Sequence, residues 1–234
     1  MKKVFLVLAI SAAAVSTANA VPDLQLFIAG ANYDHITDSW VTASNSFDLY
    51  VVSANSSRED VIVSLALGQM DDPGGVSANF GGTVISNTDW TYGYAPLDNY
   101  YDSWNGGLTD LPRHSVFPTN FVEMHTGNFG INDHVGDVMP DKYGDFWNPS
   151  TGNGYAGAWG EVRSFHVELG GIFSQIHFDA YTLNNDGTIR EFAPFSHDAS
   201  ALSAVPEPAT IFLLGAGLIG VGAASFRRKI LSKS

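Results

Sequence analysis

Gln175-Ile176-His177-Phe178-Asp179-Ala180-Tyr181-Thr182-Leu183 runs into Asn184-Asn185-Asp186-Gly187. The first nine residues alternate. Ile176, Phe178 and Ala180 fall on one face and His177, Asp179 and Tyr181 on the other, which is the period of a β-strand. The next four residues tolerate positive φ and read as a hairpin turn, with residues 190–195 as the returning and closing strand. Just upstream, residues 161–169 put Arg163, Phe165, Val167 and Leu169 on one face. Gly170-Gly171 between these two runs reads as a second hairpin. Further out lie residues 24–29, 47–54 and 60–67, the last with Val61, Val63, Leu65 and Leu67 on one face. Residues 80–86, 121–124 and 135–139 are weaker strand candidates. Asp71-Asp72-Pro73-Gly74-Gly75 marks another turn. No amphipathic helix stands out between the two ends of the chain. The pattern predicts an all-β fold, an antiparallel β-sandwich of jelly-roll-like type.

Residues 88–158 differ from this frame. They are rich in Gly, Asn, Asp and aromatic residues, and a loop-rich stretch of that length inside one domain is often functional. Trp90, Tyr92, Tyr94, Tyr100, Tyr101, Trp104, Trp147 and Tyr155 crowd it, with Trp159 just beyond its end. Exposed rings among amides and carboxylates suit a carbohydrate surface, whereas rings packed over the sheets would supply burial energy.

The ends are of another kind. Lys2 and Lys3 precede a mostly apolar run, and Ala18-Asn19-Ala20 has the form of a signal-peptide cleavage site. Residues 1–20 therefore read as a secretory signal, with Ala18 and Ala20 at the cut and Val21 as the mature start. At the other end, Pro206-Glu207-Pro208 precedes an apolar run over 211–226 and then Arg227-Arg228-Lys229. The run can just span a bilayer as one transmembrane helix, and the basic cluster would hold its end in the cytoplasm. The prolines leave an extended segment ahead of it. Gly215, Gly217 and Gly220 within the run fit a dinucleotide-binding pattern. They lack the acidic residue that such a fold places further on, so the nucleotide reading is rejected.

Residues 21–204 remain as one ectodomain and 205–234 as a sorting tail. The ectodomain holds five basic residues, Arg58, Arg113, Lys142, Arg163 and Arg190, against 23 acidic ones, a charge of −18. Such a surface repels nucleic acid and anionic lipid. There is no cysteine, so stability must come from a packed core.

The tail, Pro206-Glu207-Pro208 followed by the apolar run and Arg227 to Lys229, resembles the PEP-CTERM sorting signal of Gram-negative bacteria. That resemblance implies export, temporary retention in the inner membrane, and processing by an exosortase-type enzyme. Release to the cell surface or extracellular matrix would follow, in a setting associated with exopolysaccharide. The ectodomain resembles the choice-of-anchor N group. His177, Asp179, Phe195, Ser196, His197 and Asp198 carry that resemblance, with Leu24 to Ile28, Tyr33-Asp34, Trp40-Val41 and Leu111 to His114. It implies a surface or matrix protein and brings no catalytic residues.

Residue chemistry adds weaker candidates. His177, Asp179 and His197 suggest a metal site if the last strands converge, against a plain reading as hydrogen-bonded structural groups. Ser196 with His and Asp suggests hydrolysis, without a nucleophile elbow to support it. Glu123, Glu161 and Glu168 are the acids a glycosidase would draw on. Asn184, Asn185 and Asp186, or Asp133, Asp137, Asp141 and Asp145, offer calcium ligands without the EF-hand pattern. The expectation is a non-enzymatic exported protein with no required cofactor. The alternative is a secreted metal- or carboxylate-dependent hydrolase of surface glycans.

Overall fold

The computed structural model describes residues 21–96, 111 and 116–203. The expected signal peptide and the whole sorting tail lie outside the described residues. In chain order the strands are β1 (Leu24–Ile28), β2 (Asn32–Asp34), β3 (Ser39–Thr42), β4 (Ser46–Ala54), β5 (Ile62–Leu67), β6 (Val76–Phe80) and β7 (Thr83–Ile85). They continue with β8 (Thr91–Gly93), β9 (Thr119–His125), β10 (Asp133–Val135), β11 (Ala158–Gly171), β12 (Gln175–Leu183), β13 (Ile189–Phe192) and β14 (Asp198–Leu202). One sheet runs β1-β4-β11-β6-β7 with β10 also on β11; the other runs β2-β3-β14-β12-β5-β9-β8 with β13 also on β12. Every pairing is antiparallel except β3 with β14. Among the described residues no helix is long and apolar enough to cross a membrane.

The sheets bury their facing sides against each other. Alternation places Leu65, Val63 and Leu67 of β5 beside Phe178, Ala180 and Ile176 of β12 in register, and Ala199 and Ala201 of β14 complete that face. Opposite them stand Leu49 and Val51 of β4, Val167 of β11 and Leu26 of β1, all fully buried. Phe47 meets Phe178 across the gap edge to face, with ring centroids 5.9 Å apart. Side chains of this size contribute about 1.5–3 kcal/mol each on leaving water, so a disulfide-free chain has ample apolar material. The β-sandwich expectation holds at the level of two packed, mostly antiparallel sheets. Six strands face eight, and the strand order includes a parallel pair, which is more elaborate than an eight-stranded jelly roll.

Four readings of the local sequence are corrected. Gly170-Gly171 is not a hairpin turn: β11 and β12 lie in different sheets, and the glycines carry the chain from one to the other. Two strongly alternating strands look the same whether they pair or face one another. Residues 80–86 are not one strand but the ends of β6 and β7 around the Gly81-Gly82 turn. The closing strand is not 190–195 but β14, whose Asp198-Ala199-Ser200-Ala201 alternates with little hydrophobic contrast. The run 135–139 keeps only Val135 in a strand, at the end of β10. The Asn184 to Gly187 hairpin between β12 and β13 is as read.

Two of the chain crossings between sheets are tied together. The Asp71 carboxylate, in the β5–β6 crossing, accepts from the Ser174 amide at 2.8 Å and the Ser174 hydroxyl at 2.9 Å in the β11–β12 crossing. The Ile172 amide donates to the Gly75 carbonyl at 2.9 Å. This close approach explains Gly171, which sits at φ +93° where an added Cβ would lie 1.8 Å from the Gly75 oxygen. Gly171→Ala is therefore expected to cost at least about 2 kcal/mol, read as a lower urea midpoint with an unchanged slope.

The loop-rich middle covers both outer faces. Over the first sheet, Gln25 donates from Nε2 to the Gly136 carbonyl at 3.0 Å and accepts at Oε1 from the Val138 amide at 2.9 Å. Phe146 packs on Phe27 and Trp40 nearby. Over the second sheet, Ala95, Leu111 and Phe117 close on Ile62, Ala66, Phe121 and Tyr181 as a separate apolar cluster. The face of β12 that carries His177, Asp179 and Tyr181 is consequently buried as well.

Candidate functional site

Burial of that second face confines polar side chains that the alternation of three strands places together. His177 and Asp179 come from β12, Ser64 from β5, and Asp198 and Ser200 from β14; all five are buried. His177 Nε2 lies 3.4 Å from Asp179 Oδ1 and 3.7 Å from Asp198 Oδ2. Its Nδ1 is 2.8 Å from the Ser200 hydroxyl, and Ser64 donates to Asp179 Oδ2 at 3.3 Å. Burial alone would drive the imidazole towards its neutral form. The Asp179 and Asp198 carboxylates outweigh that and raise its pKa to about 10. His177 is thus a buried imidazolium between two carboxylates. Without it, Asp179 and Asp198 on neighbouring strands would repel one another. Among the described residues this is the group of three or more His, Asp or Glu side chains whose ligand atoms, within 4.8 Å of one another, have metal-site spacing. An ion there would have to displace the proton that the carboxylates hold on Nε2.

The expected metal set named His197 in place of Asp198, and this is corrected. His197 closes one turn of 3-10 helix, Phe195–His197, and Asp198 opens β14. The two consecutive side chains part at this junction. Asp198 joins His177, while His197 Nε2 meets Asp137 Oδ1 at 2.8 Å. His197 Nδ1 is 2.7 Å from the hydroxyl of Ser196, and the Tyr33 hydroxyl donates to the Ser196 carbonyl at 3.1 Å. Burial first, and then the Asp38, Asp137 and Asp198 carboxylates, push the Tyr33 phenol up to about 12, so it stays a donor. Phe195 is 38% exposed beside this network.

Ser196, His197 and Asp137 form a hydrogen-bonded chain in the order of a hydrolytic triad. Ser196 and His197 are consecutive in a single turn, however, so the serine caps its neighbour's ring instead of projecting from a strained elbow. Asp137 Oδ1 also accepts from the Met139 amide at 2.8 Å. The sequence offered Asp137 only as a calcium ligand and Tyr33 only within the family resemblance, because each reaches residues 196 and 197 only through the fold.

The other candidates do not gather into a site. The hydroxyl of Tyr181 donates to Glu123 on the second sheet. Glu161 and Glu168 stand on β11 seven residues apart, about 23 Å along a strand and on opposite faces. That is too far for a glycosidase pair. Burial would raise the Glu161 pKa, but the Gly130 amide and the Arg163 guanidinium hold it below its ordinary value. In the β12–β13 turn, Asp186 Oδ1 accepts from the Thr188 amide at 3.0 Å and its hydroxyl at 2.6 Å. Those bonds lower the Asp186 pKa, and Asn184 Nδ2 donates to Thr188, so the proposed calcium ligands serve the turn itself. Asp141 likewise accepts from the Tyr143 and Asp145 amides. Of the aromatic residues, Trp90 and Trp147 are core, whereas Tyr92, Tyr155 and Trp159 are exposed. Tyr100, Tyr101 and Trp104 lie outside the described residues.

Comparison with known proteins bears on the tail. The family profile described as the PEP-CTERM protein-sorting motif matches residues 204–229. This marks the chain as an exported, exosortase-targeted protein of the cell envelope and surface. The match contains Pro206, Glu207, Pro208 and Arg227 to Lys229 and reaches the ectodomain only at its last residue, 204. No curated protein and no solved structure gives a significant match.

Proposed function

We propose that this chain, directed to export and exosortase processing by its tail, works at the cell surface or in the extracellular matrix as a non-catalytic protein. The sorting motif at 204–229 carries the reading. In it, Pro206-Glu207-Pro208 is the recognition element and residues 211–226 retain the substrate in the inner membrane. Arg227, Arg228 and Lys229 fix its orientation, and the signal peptidase cuts before Val21. The packing of Val21 against the core supports the assigned start. A non-catalytic role is supported by the way the reactive side chains are used. His177 and His197 are both buried in internal polar networks, and the three glutamates stand apart. The choice-of-anchor N resemblance belongs to the same reading, as an ectodomain type carried on different anchoring tails. Exopolysaccharide is the partner that this setting would offer.

Processing supplies the test. Glu207→Ala is expected to leave the bulk of the protein as a membrane-bound form of unprocessed mass, whereas the parent chain appears at the lower mass in the released fraction. Normal release of E207A would overturn the assignment of the recognition element. A glycan hydrolase, the competing reading, has the Ser196–His197–Asp137 chain in its favour. Reducing sugar released by wild-type protein and lost in Ser196→Ala would decide for it.

A further inference from the structure

We infer that the exposed strip formed by Tyr155, Trp159 and His134 is a binding platform for an uncharged polysaccharide. Trp159 is 54% and Tyr155 85% exposed, while Trp90 and Trp147 from the same aromatic-rich stretch are core. Large rings left in water are informative where they are held together. Here they are. Trp159 and His134 oppose one another across the β10–β11 ladder, with ring centroids 3.9 Å apart. An edge of the Tyr155 ring lies beside Gly157, two residues before Trp159. A Cβ at Gly157 would stand 2.7 Å from Tyr155 Cε1, so the glycine leaves room for that ring.

The supporting backbone is fixed. The Tyr155 carbonyl abuts Gly136, where an added Cβ would come within 2.2 Å of it, and the Trp159 carbonyl accepts from the Asn55 amide at 2.8 Å. Trp159, seated against His134 on a paired strand, offers a flat apolar face that needs little ordering on binding, and Tyr155 adds a second ring. Polar groups border them. The exposed Asn132 amide lies two residues from His134, and the Glu161 carboxylate, which already accepts from the Gly130 amide and Arg163, lies two residues from Trp159. A pyranose matches this combination, with an apolar C–H face for the ring and hydroxyls for the Asn132 amide.

Charge and size narrow the ligand. An ectodomain at −18 repels polyanions, and the strip offers ring faces for stacking in place of the carboxylates that would pair with a polycation, so the proposal commits to a neutral polymer. Two aromatic rings present at most about 500 Å², well short of the roughly 800 Å² per partner of a stable protein interface. The proposal rests on the surface-protein reading only for the polymer the chain would meet; the site is tested independently of processing.

The experiment uses the full chain in a detergent without a sugar headgroup. Retention is measured on insoluble cellulose, mannan and β-1,3-glucan, and on an alginate gel as the polyanion. Wild type is expected to be retained on at least one neutral polymer, with a shift in tryptophan fluorescence. Trp159→Ala should weaken that retention about tenfold. Trp159→Phe should restore most of it, and Tyr92→Ala, exposed on the other sheet, should change nothing. Matching thermal midpoints would show that the variants are folded. Wild type retained on no neutral polymer, retained only on alginate, or retained equally after W159A would each overturn the proposal. So would W159A abolishing self-association while leaving retention intact. E207A must bind like wild type, so a failure of the processing assignment leaves this result readable.

Discussion

Replacing His177 with leucine is expected to cost about 3–5 kcal/mol of folding stability, because it leaves two buried carboxylates without the imidazolium between them. The pH profile distinguishes this from simple loss of packing. The His177 pKa in the folded chain is raised to about 10, from an ordinary value of 6.5. A raised pKa means that the folded state binds the proton more tightly. The contribution is therefore complete below about pH 6.5 and is lost as pH rises through about 10. Guanidinium midpoints of the wild type should fall across that window, and those of H177L should lose that fall. With no cysteine in the chain, no thiol titration overlies the measurement. An imidazole that titrates near 6.5 by NMR, or an H177L chain as stable as wild type, would show that the carboxylates do not hold the proton.

Arg58→Met should be the next most damaging change, at about 3 kcal/mol. Its side chain is 2% exposed and donates from Nε to Glu191 Oε2 at 2.5 Å, and from Nη1 to the Ser53 hydroxyl at 2.9 Å. The carbonyls of Ala54 and Ser56 accept from the same Nη1 at 2.6 and 2.7 Å, and Asp23 faces Nη2 at 3.4 Å. Methionine fills much of the space but leaves these acceptors without their donor. The cost stays at the low end because Glu191 and Asp23 keep contact with water, their side chains being 24% and 47% exposed. Arg58→Lys should recover only part of it, since an ammonium cannot reproduce the planar fork. Thermal unfolding of the three proteins checks this ordering; a lysine variant equal to wild type would reduce Arg58 to a bare positive charge.

Arg58 did not advertise its importance in the sequence. Arg58 is one of five scattered cations, and its partners at 191 and 23 become neighbours only when the sheets close. The His177 cluster was half legible. Alternation put His177 and Asp179 on one face, and the pair His197-Asp198 stood out beside them. Which member of that pair would join them depended on a turn-to-strand junction that sends adjacent side chains apart. The register of β14 against β12 chose Asp198 and left His197 to Asp137, 60 residues away.

The sequence by itself determined what depends on neighbours along the chain. It determined strand identity through period-two alternation, the β12–β13 turn through residues that accept positive φ, and the sorting tail through its linear order of motif, apolar run and basic cluster. Only the tertiary structure decided what depends on which surfaces meet. It made Gly170-Gly171 a crossing between sheets, because pairing and facing strands share one pattern. It buried the outer faces of both sheets beneath the loop-rich middle, and so sorted identical residue types into core and surface. Trp147 and Trp159 differ by nothing local; one packs against the sheet and the other is left in water, since burial is a property of the closed fold.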